Sequence, residues 1–551
     1  MGRTRTSIAV VFVGIVFLGI MGCDGSSPPE QSGTQLLAGR DFGNLFFWNE
    51  QTPAFTRQTA ATGASSQDLW VWPDGESAPL LALSQIDWSP PVSSARVRAG
   101  DILMTGPSAN RVYDLQIRSS LDLETVAAQG KPGAPGITWA SVRRDGGSVV
   151  ALLGTGNLFA GRGSTFTFMP SPYVAWGADF MGDDLAVLAS PSLGDVDQLI
   201  YRMALPSGDL SPLPVASLGS TVLGCFSLEV PPCQTFRVLG CGADDAACPE
   251  TGRPPCAILY LRADALTQVA HPYVLDVGTG QETALPGDDP SAFVISPDRH
   301  SAAWIHSEIA DTGNGEVPPD QQPIYVHNFC SGAAVQCPLP HPVQLSWRGD
   351  GGELLVDLND NQLGVVDVAT GSCSVLDGNV RQRAFSPAGD QLAWIRDQGA
   401  IVSPEPITLW MRDAAAGGQR LVAYDVPAFR FSPDGQRIFI IHADSDHFSL
   451  SWVSSLATNS QHQQPIADSY SGVALRGNQR VLVIEHWNSQ DASGNLELVD
   501  IASGTHTVLA HAVTDLAASG SIDGAARVMY AVRGRFASGQ DGLWQTTLPA
   551  P

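Results

Sequence analysis

The chain has 551 residues, of which 44% are hydrophobic and 15% charged, with 56 glycines and 39 prolines. This length can bury a sizeable core, and the composition suits a turn-rich globular protein and excludes a disordered one. The net charge of −25 opposes binding to nucleic acid phosphates or anionic lipid surfaces, and no cluster of four or more basic residues offsets it.

At the N-terminus, Arg3 and Arg5 precede an apolar run from Ile8 to Met21 that is too short and too early for a membrane span. It reads as a secretion signal. The run ends in Gly19, Ile20, Met21, Gly22 and Cys23, which resembles the lipobox of bacterial lipoproteins. The resemblance implies that residues 1–22 are removed and that Cys23 becomes a lipidated N-terminus. A plain signal peptide with an incidental cysteine is the alternative. Processing would remove Arg3 and Arg5 but no acid, leaving 28 basic against 55 acidic residues, a net charge of −27. The polar segment 23–39 then reads as a flexible tether. The expected location is the bacterial cell envelope, periplasmic or at the cell surface, with the lipid as the membrane contact and no nucleic acid partner.

Further along, the chain repeats itself. "FRFSPDGQRIFIIHA" from Phe429 has copies in "AFSPAGDQLAWIRD" at Ala384 and "VISPDRHSAAWIHS" at Val294. Ser296, Ser386 and Ser432 are each followed eight residues later by Trp304, Trp394 and Ile440, and ten residues later by His306, Arg396 and His442. Weaker copies begin at Ser141, Ala178, Ser346 and Ala474. Strand starts at Leu354, Leu392, Ile438, Val481 and Val528 lie 38, 46, 43 and 47 residues apart. Proline presets a turn dihedral, Ser or Asp bonds nearby amides, and glycine closes the corner, so each copy predicts a hairpin corner. The strand after it is apolar at consecutive positions, which predicts burial on both faces.

A second mark, "VLDVGTG" at Val274, "VVDVATG" at Val365 and "LVDIASG" at Leu498, shares the period: Asp276, Asp367 and Asp500 lie 91 and 133 residues apart. Four-stranded units of ~40–45 residues are the signature of β-propeller blades. The corner resembles the TolB-type propeller repeat, a relative of the tryptophan–aspartate repeat, most fully from Phe431 to Ile438. The expected fold is all-β, with two consecutive propellers: an irregular region over 40–291 and a six-bladed propeller over 292–549. One eight-bladed propeller with long insertions is the alternative.

Nine cysteines are present. Setting Cys23 aside, Cys225, Cys233, Cys241, Cys248 and Cys256 crowd into the insertion 225–256, and Cys330, Cys337 and Cys373 lie downstream. In an exported chain these eight are disulfide candidates. An odd group of five and an odd group of three need at least one bridge between them if all pair. A zinc cluster is the alternative, but no C-x2-C pair occurs and the spacings are long for ligand hairpins.

Catalytic signatures are missing: the chain has no G-x-S-x-G elbow, no H-E-x-x-H and no phosphate-binding G-x-x-x-x-G-K-[ST]. Asp357, Asn359 and Asn361 alternate like the start of a calcium loop, but Val368 stands where a bidentate glutamate is due, so a hairpin turn is expected. His442, Asp444, Asp446 and His447 could chelate at a loop tip, and are read as an ordinary polar turn. The D-x-x-T-G marks also occur in quinone-dependent propellers, but the 13 tryptophans do not recur in one register beyond Trp304 and Trp394. The reading is therefore a non-catalytic, lipid-anchored scaffold that binds a protein or other envelope ligand, with no cofactor and no metal assigned. A propeller hydrolase or lyase using acidic and histidine residues in a central channel is the alternative.

Overall fold

The computed structural model describes residues from Gly33 to Leu548, leaving out short loops and the longer stretches 59–65, 215–235, 307–322, 398–406, 456–462 and 534–539. The described residues form 42 strands and one α-helix, Leu123–Gly130, which buries Leu123, Val126 and Ala127. No helix among them is long and apolar enough to cross a membrane.

The repeated corner is a turn that satisfies its own polar groups. Ser432 Oγ accepts the Arg437 amide at 3.0 Å, and the Gly435 amide returns to the Ser432 carbonyl at 2.9 Å. Ser386 and Ser296 do the same for the amides of Gln391 (3.1 Å) and Ser301 (2.9 Å). The closing residue needs a left-handed backbone, which Gly435 and Gly389 supply at φ +72° and +75°. Arg299 adopts +62° in the third copy, where glycine is missing.

The strand that follows is the second of its sheet. Successive side chains point to opposite faces, so an unbroken apolar run must have neighbours on both sides. Ser301–His306 is buried throughout, and Trp304, Trp394 and Ile440 are each 0% exposed. The aspartate–glycine marks close the hairpin between third and fourth strands: Asp276, Asp367 and Asp500 accept the amides of Thr279, Thr370 and Ser503 at 2.7, 2.9 and 2.8 Å.

Eight sheets have four antiparallel strands in chain order. They comprise unit 1 (Phe42–Asp87), unit 2 (Ser93–Asp122), unit 3 (Ile137–Phe168), unit 4 (Val174–Pro212), unit 5 (Phe236–Ala284), unit 6 (Pro290–Cys337), unit 7 (Pro342–Asp377) and unit 8 (Val380–Tyr424). A ten-stranded sheet follows, and two long strands divide it. Gln464–Ala474 pairs through its first half with Phe448–Ser454 and through its second with Arg480–Asn488. Thr505–Ala518 is shared in the same way between Ser493–Asp500 and Arg527–Val532. Each long strand thus ends one unit and begins the next, giving unit 9 from Ala428, unit 10 around Arg480–Asp500, and unit 11 ending at Thr547.

The eleventh unit takes its fourth strand from the other end of the chain. Thr34–Ala38 pairs antiparallel with Gly542–Thr547, in register Thr34 with Gln545 and Ala38 with Gly542. This corrects the reading of 23–39 as a tether: its last residues are drawn into the sheet because the edge of Gly542–Thr547 otherwise leaves a row of amides and carbonyls unpaired. Unit 1 packs on unit 11 as well, through Phe42–Trp48 against Thr505–Ala518 and Arg527–Val532. First strands also meet elsewhere, Val174–Met181 on Phe236–Leu239 and Pro290–Ile295 on Pro342–Trp347. Four-stranded sheets in series, packed face to face with their first strands converging, make the fold a β-propeller.

Candidate functional site

Among the described residues three cysteine pairs lie at bonding distance: Cys241–Cys256, Cys248–Cys330 and Cys337–Cys373, closing 15, 82 and 36 residues. Cys248–Cys330 ties the insertion of unit 5 to a hairpin of unit 6, and so links the crowded group to the downstream trio. Cys23, Cys225 and Cys233 lie outside the described residues. Ligand atoms of Cys248, Cys330 and His300 fall within 4.8 Å of one another, but both sulfurs are bonded to each other and offer no thiolate.

The two loop-tip candidates divide. Asp357 lies 2.6 Å from Arg383 Nη2 in an ion pair between units 7 and 8, and Asn359–Asn361 forms a single turn between two strands of unit 7. That is a hairpin. His442 Nε2 lies 2.6 Å from Gln463 Oε1 and 3.3 Å from Ser451 Oγ, while Ser451 itself donates to Gln463 Oε1 at 2.7 Å. With its proton facing the amide oxygen, His442 Nε2 cannot take a proton from Ser451, so the trio is not a nucleophile and base. Asp444, Asp446 and His447 lie outside the described residues.

Ionisable side chains are held at the first strands of units 4, 5 and 11, on Asp179, Arg237 and Asp515, and at the second strand of unit 7, on Asp357. Burial lowers the Arg237 pKa while Asp179 opposes the shift, and burial raises that of Asp357 against the pull of Arg383. Asp515, at the seam between units 11 and 1, accepts the Leu516 amide at 2.8 Å and an amide from Leu45. Burial nonetheless pushes its carboxyl above the ordinary range. The folded chain therefore keeps this proton at a pH where the unfolded chain has lost it. Stability from this site is greatest below the ordinary carboxylate pKa and falls as pH rises through the raised folded value. Asp515→Asn should remove that dependence, so that urea unfolding over a pH series finds the variant gaining on the wild type as pH rises through the window. A difference that does not vary with pH would contradict the assignment.

A third group was not marked by any motif. Glu485, Glu497 and His506 come from three adjacent strands of unit 10, Arg480–Asn488, Ser493–Asp500 and Thr505–Ala518. Pairing of Val483 with Glu497, Glu485 with Asn495 and Val499 with His506 sets all three on one face. Glu485 and Glu497 are 7% and 3% exposed, whereas the His506 side chain is 34% exposed. His506 Nδ1 lies 3.0 Å from Glu497 Oε2, in hydrogen-bonding geometry, and 3.1 Å from Glu485 Oε2. The second carboxylate oxygen of Glu485, Oε1, accepts the Asp468 amide at 3.3 Å. Burial first, and then the charge of Glu497, raise the Glu485 pKa, while that amide, His506 and His486 act the other way.

His486 joins the group through a backbone irregularity. The register between Arg480–Asn488 and Ser493–Asp500 shifts after Glu485, and His486 has φ +54°. In a regular strand residue 486 would face away from residue 485, but the bulge brings its Nε2 to 3.8 Å from Glu497 Oε1. One signal for this group was present in the sequence: Glu485 follows Val481 by the same four residues that separate His442 from Ile438 and Arg396 from Leu392. It occupies the polar position of the repeat.

No family model and no curated protein matches the chain. Among solved structures it is similar to a eukaryotic initiation factor, with 12% identity over 76% of this chain and 92% of that one and a TM-score of 0.35. It is also similar to the Dos1 propeller, with 10% identity over 79% and 97% of the two chains and a TM-score of 0.33. For TolB from Acinetobacter baumannii the figures are 13% identity, 61% and 79% coverage and a TM-score of 0.21. Against the tricorn protease, at 12% identity and a TM-score of 0.28, 93% of this chain spans 58% of the other. At such identities and TM-scores none of these likenesses carries an argument, and the fold and chemistry of this β-propeller rest on its own sheets and residues.

Proposed function

We propose that the chain is a lipid-anchored β-propeller of the bacterial envelope that serves as a scaffold for a protein or other envelope ligand and performs no chemistry on it. The observation that carries this reading is where the repeated polar residues go. Ser296, Ser386 and Ser432 bond their own corners, and Asp276, Asp367 and Asp500 bond their own hairpins. The marks repeated most often therefore hold the fold, which leaves the loops that vary between units to recognise a partner. The cysteine pairs support an oxidising compartment.

Anchoring is tested at Cys23. Labelling cells with a radioactive fatty acid should mark the wild type and leave Cys23→Ala unmarked, with the variant recovered as precursor or soluble protein. Equal label in both, or label in neither, would overturn the anchor. Scaffolding is tested by crosslinking in intact envelopes followed by capture of the chain, with a recurrent stoichiometric partner as the expected result. The shifted groups Arg237, Asp357 and Asp515 favour the enzyme reading, and turnover abolished by Asp357→Asn or Asp515→Asn in an unbiased hydrolase and lyase screen would replace the scaffold.

A further inference from the structure

We propose that Glu485, Glu497 and His506 form a binding site for one divalent transition-metal ion, zinc foremost, with His486 as a fourth donor at its mouth. Two carboxylates are buried together, with His506 Nδ1 3.1 and 3.0 Å from Glu485 and Glu497 and His486 Nε2 3.8 Å from Glu497. His506 Nδ1 can donate at most one proton, hydrogen-bonding geometry is met only toward Glu497 Oε2, and a metal ion ligated by Nδ1 takes the place of that proton. Glu485 Oε2 is buried and, although the same Nδ1 stands 3.1 Å away, it accepts no hydrogen bond. An unmatched buried carboxylate oxygen facing a second carboxylate is costly, and a bound cation removes that cost.

The spacing suits an ion. The donor atoms of the three residues all lie within 4.8 Å of one another, with Nδ1 at 3.0 and 3.1 Å from the two carboxylates. A tetrahedral zinc with bonds of ~2.0–2.2 Å separates its donors by roughly 3.4 Å, so small outward shifts make room for it. Oxygen and imidazole donors together suit zinc or manganese better than calcium or magnesium, which prefer oxygen alone. Carboxylates at the bottom and exposed imidazoles at the rim give a polar route in. The bulge that turns His486 toward Glu497 supplies a fourth ligand after a modest rotation of an exposed side chain.

The test uses the full mature chain, stripped with chelator, dialysed and titrated with zinc chloride by calorimetry, with cobalt(II) as an optical probe. One ion per chain is expected, and Glu485→Gln and Glu497→Gln should each weaken binding at least about 100-fold, since even outer partners of a metal site cost 10–100-fold. The cobalt spectrum should lack a thiolate charge-transfer band, and binding should persist in the Cys248→Ser/Cys330→Ser double variant. Both glutamine variants keep side-chain shape and should melt in chelator no lower than the wild type. If either fails to fold, His506→Asn, at the exposed rim, gives the same reading. No stoichiometric binding, binding unchanged in Glu497→Gln or in His506→Asn, or a thiolate band lost with the cysteines would overturn the site.

Discussion

Trp394→Asp should unfold unit 8 and loosen its contact with unit 7. Trp394 is fully buried against Leu355, Leu363, Val365 and Leu392, so it belongs to the packing of two units at once. Its indole donates to Asp377 Oδ2 at 2.6 Å, and Arg396 grips the same carboxylate through Nε and Nη2 at 3.0 and 2.5 Å. Replacing the ring with a carboxylate removes its packing, at about 3–5 kcal/mol for a tryptophan emptied to a small residue. It also places a second negative charge beside Asp377, where one arginine already serves one acid. That adds several kcal/mol unless the new group takes a proton. Trp394→Phe separates the effects: it keeps most of the ring, loses the indole donor, and should cost about 1–3 kcal/mol for an acceptor left short. Urea unfolding with limited proteolysis would detect early cleavage in unit 8 for the aspartate variant alone. An aspartate variant as stable as the wild type would mean that Trp394 is not enclosed by two units.

What the sequence revealed of this fold depended on how local each feature is. The corner, the doubly buried second strand and the aspartate–glycine hairpin each lie within about fifteen residues: the first two could be read from Ser386 to Arg396 and the third from Val365 to Gly371 without knowing what packs outside. The joins between units 9, 10 and 11 could not. Tyr470 pairs with Phe448 on one side and Glu485 on the other, so one long strand serves two units, and no corner or spacing along the chain marks where one ends and the next begins. The ligand group was hidden for a related reason. Glu485 sat visibly at the repeat's polar position, but Glu497 and His506 reach it through cross-strand register and His486 through a bulge, which no spacing along one strand encodes. The least legible element was Thr34–Ala38, a short apolar stretch with no corner before it and a partner some 500 residues away, as the bond from Gln35 to Asp541 across a separation of 506 illustrates.

That strand carries the second large expectation. A chain lacking 34–38 should lose the protection of its last strand and aggregate. Gln35 Nε2 donates to the Asp541 carbonyl at 3.1 Å, and Leu36 and Leu37 pack with Phe55, Met529 and Leu543 beside Leu45, Phe47 and Trp70 of unit 1. The strand therefore does two things: it covers the open edge of Gly542–Thr547 and it fills the seam where the last unit meets the first. Two partly buried leucines contribute about 2–4 kcal/mol between them, and the bared edge is a template for pairing with another chain. Gly542→Val attacks the same joint without shortening the chain, because a Cβ there would collide with the Leu37 carbonyl oxygen. Hydrogen exchange should find those amides of 542–547 that face Thr34–Ala38 unprotected in both variants, while the amides bonded to Arg527–Val532 and those of units 7 and 8 keep their protection. A peptide spanning 33–39 added to the truncated chain should restore protection at 542–547, since the groove it leaves is otherwise intact, but it should not rescue Gly542→Val. Equal protection in the truncated chain and the wild type would mean that the segment is a tether after all, and that the two ends of the chain are held together by unit 1 alone.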